Sequence, residues 1–186
     1  YIDGVCDTVR EIQRICEQQG VKFKDILSVT HAAGRYHFTD DNYVKEGVDT
    51  IAGMGCEMVN LNMHMPSFSS DFSFNADWNK NRPKTLKELA QSPYFKSAFS
   101  NPKIKRFSLI ALDSYTWIST NTSDNDRKIY CDIEYEAVYD LADYLLKEYN
   151  GTGKTFIIQT WESDAWLVAS SVGNNATYNM DSVRNY

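Results

Sequence analysis

Long apolar runs are missing from this chain: no stretch approaches the roughly 18 to 20 consecutive apolar residues of a membrane-spanning helix, so no membrane span is expected. The N-terminus has neither an initiating Met nor the short apolar segment of a signal peptide, so the chain reads as a processed product or a fragment. Clustered basic residues are missing too. With a formal net charge of −6 and its Lys and Arg scattered, the sequence offers no patch to neutralise a run of phosphates, which excludes nucleic acid as a partner. Cys6, Cys16, Cys56 and Cys131 show no C-x-x-C spacing, which argues against a zinc ribbon or a thioredoxin-type site. No G-x-S-x-G elbow or G-x-G-x-x-G fingerprint occurs, against an α/β hydrolase or a dinucleotide enzyme. Gly151-Thr152-Gly153-Lys154-Thr155 is not a phosphate loop, because the required first Gly falls at Glu148 and the run precedes a strand instead of following one. No cofactor is implied.

What is present is enough for a core: 42% of the 186 residues are hydrophobic and 13% aromatic, which suits one globular domain. An acidic, aromatic-rich surface suits a neutral ligand such as a carbohydrate, and equally any secreted soluble protein. Sequons at Asn121, Asn150 and Asn175 fall in segments that read as loops or element ends, favouring a secreted, extracellular glycoprotein. The four cysteines allow three pairings. If residues 3–19 form one helix, Cys6 and Cys16 lie about 15 Å apart along its axis, beyond disulfide reach. Free buried thiols remain an equal alternative.

The order of elements follows from periodicity. Val5, Val9, Ile12 and Cys16 make a helical stripe that Gly20 stops, giving a leading helix over residues 1–20. A β-type run at 25–30 ends in His31. Thr39 or Asp40 can cap a helix whose buried face is Val44, Val48 and Ile51. A strand at 56–63 leads into a long loop from Pro66 to Asn81 without clear period. Helix follows from Thr85, restarted at Pro93, then a strand over 106–112 and a polar loop to Arg127. Tyr135, Val138, Ala142, Leu145 and Tyr149 mark the clearest helix, and a continuous β-branched strand spans 154–161.

Such alternation implies a parallel sheet, either doubly wound or a barrel. Short αβ turns and long βα loops favour the barrel. A full (β/α)8 barrel takes about 250 residues and eight strands, and only four strands are legible. The expectation is therefore one domain over 1–186 that forms the N-terminal portion of a TIM barrel, its C-terminal half missing.

In a parallel α/β fold, ligands bind at the carboxyl ends of the strands. Those ends carry Thr30 and His31, then Asn60, Asn62 and His64, then Asp113, Tyr115 and Trp117, and finally Trp161, Glu162, Asp164 and, beyond, Trp166. Trp117, Trp161, Trp166 and Tyr115 can stack on pyranose faces, or serve as core. His31 and His64 can bond sugar hydroxyls, hold a metal with Asp113, or be satisfied structural histidines. Asp164 and Asp113 can replace or orient Glu162, or cap loops.

The alternation, with Gln159-Thr160-Trp161-Glu162-Ser163-Asp164 closing the fourth strand, resembles the clan A superfamily of glycoside hydrolases. Where that family carries Asn before the Glu, this chain carries Trp161. The resemblance implies a retaining TIM-barrel enzyme with Glu162 as acid/base and a second Glu, ending strand seven, as nucleophile. Retention needs the two carboxyl groups about 5 to 5.5 Å apart, and this chain supplies only the first. Trp161 and Trp166 beside Glu162 can desolvate it and keep it protonated. A non-catalytic carbohydrate-binding or structural barrel is the alternative; a flavodoxin-like binding domain is a third.

Overall fold

The computed structural model describes residues 2–22, 27–80, 82–113 and 123–159. Helix α1 (Ile2–Gln18) leads the chain. It stops where expected: Gly20 adopts the left-handed φ of +69°, Val21 N–H reaches back to the Cys16 carbonyl (2.8 Å) and Gly20 N–H to that of Glu17 (3.2 Å). That pair of bonds satisfies the last carbonyls of the helix and requires a residue free of a Cβ penalty.

Strands β1 (Ser28–His31), β2 (Met58–His64), β3 (Arg106–Leu112) and β4 (Thr155–Gln159) alternate with helices α2 (Tyr43–Gly53), α3 (Phe68–Asp71), α4 (Leu86–Gln91), α5 (Pro93–Phe99) and α6 (Asp124–Glu148). All three strand pairs are parallel. Among the described residues their order is β1-β2-β3-β4, the order of the chain, with no reversal. Among the described residues the sheet is open, with β1 and β4 as its edges.

Several local readings shift. The cap of α2 is Asn42, whose side chain accepts from Lys45 N–H; Thr39, expected there, instead donates its N–H and hydroxyl to the buried Glu46 carboxylate (2.5 and 2.7 Å). Helix α6 begins earlier than its apolar stripe, because Ser123 accepts from Asp126 N–H and caps it. Its buried face is Leu141, Tyr144 and Leu145, while Tyr135 is exposed and stacks on Tyr139. The loop after β2 contains the single turn α3, too short to leave a period in the sequence.

Alternation gives the sheet two unlike faces. On one, Val59, Leu61 and Met63 of β2 and Phe107, Leu109 and Ala111 of β3 join Val48 of α2, Phe68 of α3, Leu89 of α4, Phe99 of α5 and Leu141 of α6 in a single apolar cluster. Full burial of side chains of this size contributes about 1.5–3 kcal/mol each. Phe107 and Phe156 stack across strands at 5.5 Å, and Phe99 meets both edge-on. At the opposite end from the site, Lys154 donates to the Asn101 and Ile104 carbonyls, so the glycine-flanked lysine clamps β4 to the turn before β3.

His31 belongs to this helix-facing side. Paired in register with Leu61, it is 8% exposed, and its Nε2–H donates to the Tyr43 carbonyl (2.7 Å). Its ring packs on Tyr43 and Phe72. Gly47 makes room for it: a Cβ there would lie 2.3 Å from ring atoms of His31. Burial pushes the His31 imidazole below its usual range, against the opposing pull of the Tyr43 carbonyl and the Glu46 charge. Burial raises the Glu46 carboxyl, but hydrogen bonds from Phe38 and Thr39 outweigh it and leave the group below its ordinary value.

Gly47→Ala should cost about 1–3 kcal/mol in urea unfolding, and His31→Ala in the same chain should recover most of it; additive losses would contradict the contact. Acid should also weaken the fold in two stages. Below about pH 6.5 the unfolded chain protonates its histidines while buried His31 stays neutral, so stability falls with pH. The Glu46 contribution persists further and is lost as pH drops through its depressed folded value. His31→Asn should make the unfolding midpoint less steep between about pH 7 and 5, with buried His64 supplying the slope that remains; an unchanged slope would contradict this.

Candidate functional site

The second face of the sheet is polar where the first is apolar. Thr30, Asn60 and Ser108 align in register across β1, β2 and β3, and Asn62 aligns with Ile110 and Gln159 across β2, β3 and β4. Met58, Ile110, Leu112 and Ile157 are the apolar members of this face, and none joins the core cluster. Parallel sheets are normally apolar on both sides, so a row of amides and hydroxyls on the central strands calls for an explanation.

At the carboxyl end of β2 the polar face continues into a hydrogen-bonded chain. Asn62 Nδ2 donates to Asp71 Oδ2 at 2.6 Å, Ser67 Oγ donates to the same oxygen at 2.7 Å, and His64 Nδ1 lies 2.9 Å from Ser67 Oγ. Ser67 has one hydroxyl proton, and Asp71 takes it. The Nδ1 of His64 must therefore carry a proton and donate, which leaves the lone pair of the neutral ring on Nε2. Burial pushes the His64 ring below its usual range, against the charges of Asp71 and Glu134. Asp71 also accepts from Ala33 N–H through its backbone carbonyl (3.0 Å), tying the loop after β1 to α3. Among the described residues the buried Oδ1 atoms of Asn60 and Asn62 have no hydrogen-bond partner.

The strand-end candidates thus separate. Asn60, Asn62 and His64 share the polar face and its rim, whereas His31 faces the helices and is satisfied by the Tyr43 carbonyl. Asp113 follows β3 and turns toward α6, its N–H donating to Glu134 Oε2 at 3.1 Å. Burial raises its carboxyl, the Glu134 charge raises it further, and a hydrogen bond from the Leu86 backbone opposes both. Tyr115, Trp117, Trp161, Glu162, Asp164 and Trp166 lie outside the described residues. Among the described residues no three His, Cys, Asp or Glu side chains are grouped to hold a metal ion, and no helix is long and apolar enough to cross a membrane. Cys16 and Cys56 are buried free thiols and Cys131 an exposed one.

Ser67, Asp71 and Glu134 escape the sequence reading. The first two fall three and seven residues after His64 in a segment without period, and only their spacing of four hints at a helical turn. A separate pocket of about 400 Å³ lies at the β1 edge, lined by Tyr36, Phe38, Tyr43 and Gly47 among others. No protein-family model, curated protein or solved structure matches the chain.

The Nδ1–H tautomer should be visible directly: ¹⁵N NMR of His64 at pH 7 should show a protonated Nδ1, and Ser67→Ala should change the tautomer balance. A protonated Nε2 with a bare Nδ1 in the intact chain would overturn the hydrogen-bond directions given above.

Proposed function

We infer that the chain is the first part of a (β/α)8-barrel glycoside hydrolase of the retaining type, with its polar sheet face lining the sugar site and Glu162 as acid/base. One observation carries this reading: the strands follow chain order without reversal and present Thr30, Asn60, Asn62, Ser108 and Gln159 on the face away from the core. A doubly wound sheet reverses its strand order at a switch point and needs a second apolar face for a second helix layer. A barrel keeps chain order and carries helices on one face only, and its packed interior meets a ligand at the carboxyl end of the strands.

The chemistry follows from the residues. Glu162 comes three residues after the end of β4, flanked by Trp161, whose indole can desolvate it and hold it protonated near neutral pH. It would donate that proton to the leaving glycosidic oxygen of a β-linked substrate and later activate water. Its ionised partner would come from a later strand of the barrel. His64, held neutral by burial and oriented through Ser67, would bond a sugar hydroxyl without adding positive charge beside the donor. The exposed Asn150 sequon suits a secreted glycoprotein.

A ¹⁵N-labelled chain titrated with cellobiose should shift the side-chain amides of Asn60 and Asn62 and the Trp161 indole, without releasing nitrophenol from aryl β-glycosides. No shift at saturating sugar would defeat the carbohydrate reading, and rapid turnover by this chain alone would defeat the two-carboxylate assignment.

A further inference from the structure

We propose that the side-chain carbonyls of Asn60 and Asn62 form an acceptor pair that binds two ligand hydroxyls, with Asp71 as the residue that positions Asn62; this rests on the carbohydrate reading above and names the subsite. Both Oδ1 atoms are buried without a partner among the described residues. Asn62 as a whole is only 9% exposed. A buried carbonyl left unpaired is destabilising, and folded proteins rarely keep one unless a bound group completes it. Here two occur at successive positions on the same face of a central strand, whose rise sets the two residues about 7 Å apart, a span that hydroxyls on two adjoining sugar rings can bridge.

The direction of the Asn62 amide is not free. Its nitrogen is engaged by Asp71 Oδ2, and that carboxylate is held in turn by the Ser67 hydroxyl and by the bond from Ala33 N–H to the Asp71 carbonyl. With one of its two amide protons held by Asp71, the Asn62 amide is fixed in orientation and its carbonyl oxygen is the atom turned to the ligand as an acceptor. The subsite therefore selects for O–H groups: an ether oxygen, itself only an acceptor, would leave both carbonyls unpaired and add its own desolvation cost. Asp71 needs no contact with the sugar to matter, since losing it frees the Asn62 amide to rotate.

The test compares cellobiose with its fully O-methylated ether on the intact 186-residue chain. Cellobiose should shift the Asn60 and Asn62 side-chain amide resonances, and the ether should not. Asn60→Leu should weaken cellobiose about tenfold, the effect of one lost hydrogen bond, while the Tm stays constant or rises. A purely structural Asn60 would do the reverse. Asn60→Ser reads the same two quantities should the leucine variant not fold. Asp71→Ala should weaken binding and Asp71→Asn, which keeps an acceptor for Asn62 and Ser67, should restore it.

Equal binding of cellobiose and the ether, or a lower Tm with unchanged affinity in the Asn60 variants, would overturn the subsite and leave these carbonyls to buried water. Shifts confined to other residues would overturn the subsite while sparing the carbohydrate reading. An absence of any cellobiose binding would overturn both.

Discussion

The sidedness of β2 is the constraint on which the rest depends. Side chains alternate along a strand, so the register that sends Val59, Leu61 and Met63 into the helix layer obliges Asn60, Asn62 and His64 to face the other way. A slip of one residue would bury three polar groups in a cluster holding Leu109, Phe99 and Leu89 and expose three apolar ones. The apolar side thereby fixes the polar side: the core does not merely hold the site up, it decides which residues belong to it. The neighbouring strands reinforce the choice, because Phe107 and Leu109 align with Val59 and Leu61 while Ser108 aligns with Asn60.

Asp71 then converts that sidedness into a defined rim. Through its carboxylate it gathers Asn62 and Ser67, through its carbonyl it holds Ala33, and through Ser67 it sets the proton on His64. A single turn of helix thus links the loop after β1 to the end of β2. Glu46 does comparable work on the loop before α2, where its buried carboxylate accepts from Phe38 and Thr39. The two carboxylates order the polar backbone of the long βα connections, beside the apolar anchors Phe68, Phe72 and Trp78 that the second connection sends into the core.

Much of this architecture is legible in the sequence because the signals are local. Gly20, Pro93 and the β-branched run after Lys154 mark boundaries by backbone chemistry alone, and β3 falls where its apolar run does. The site is less legible. His31 and Asn60 look alike as polar residues near strand ends, and only the register shows that one faces helices and the other does not. Thr39 resembles a cap, yet its hydroxyl serves Glu46 because Asn42 sits closer to the first turn. Asp71 and Glu134 act through tertiary contacts that no periodicity encodes. Tyr135 shows the same limit: a stripe at steps of three and four predicts a buried face, but α6 buries Leu141, Tyr144 and Leu145 and leaves that ring in solvent.

The glycosidase reading and the acceptor pair both require a sugar to lie against the polar face and not in the aromatic-lined pocket at the β1 edge. Intermolecular NOEs between bound cellobiose and the chain measure this directly. The account predicts cross-peaks from the sugar ring protons to the Asn60 and Asn62 amides and the Ile110 methyls. Cross-peaks to Tyr36 and Phe38 instead, with none to β2, would contradict it.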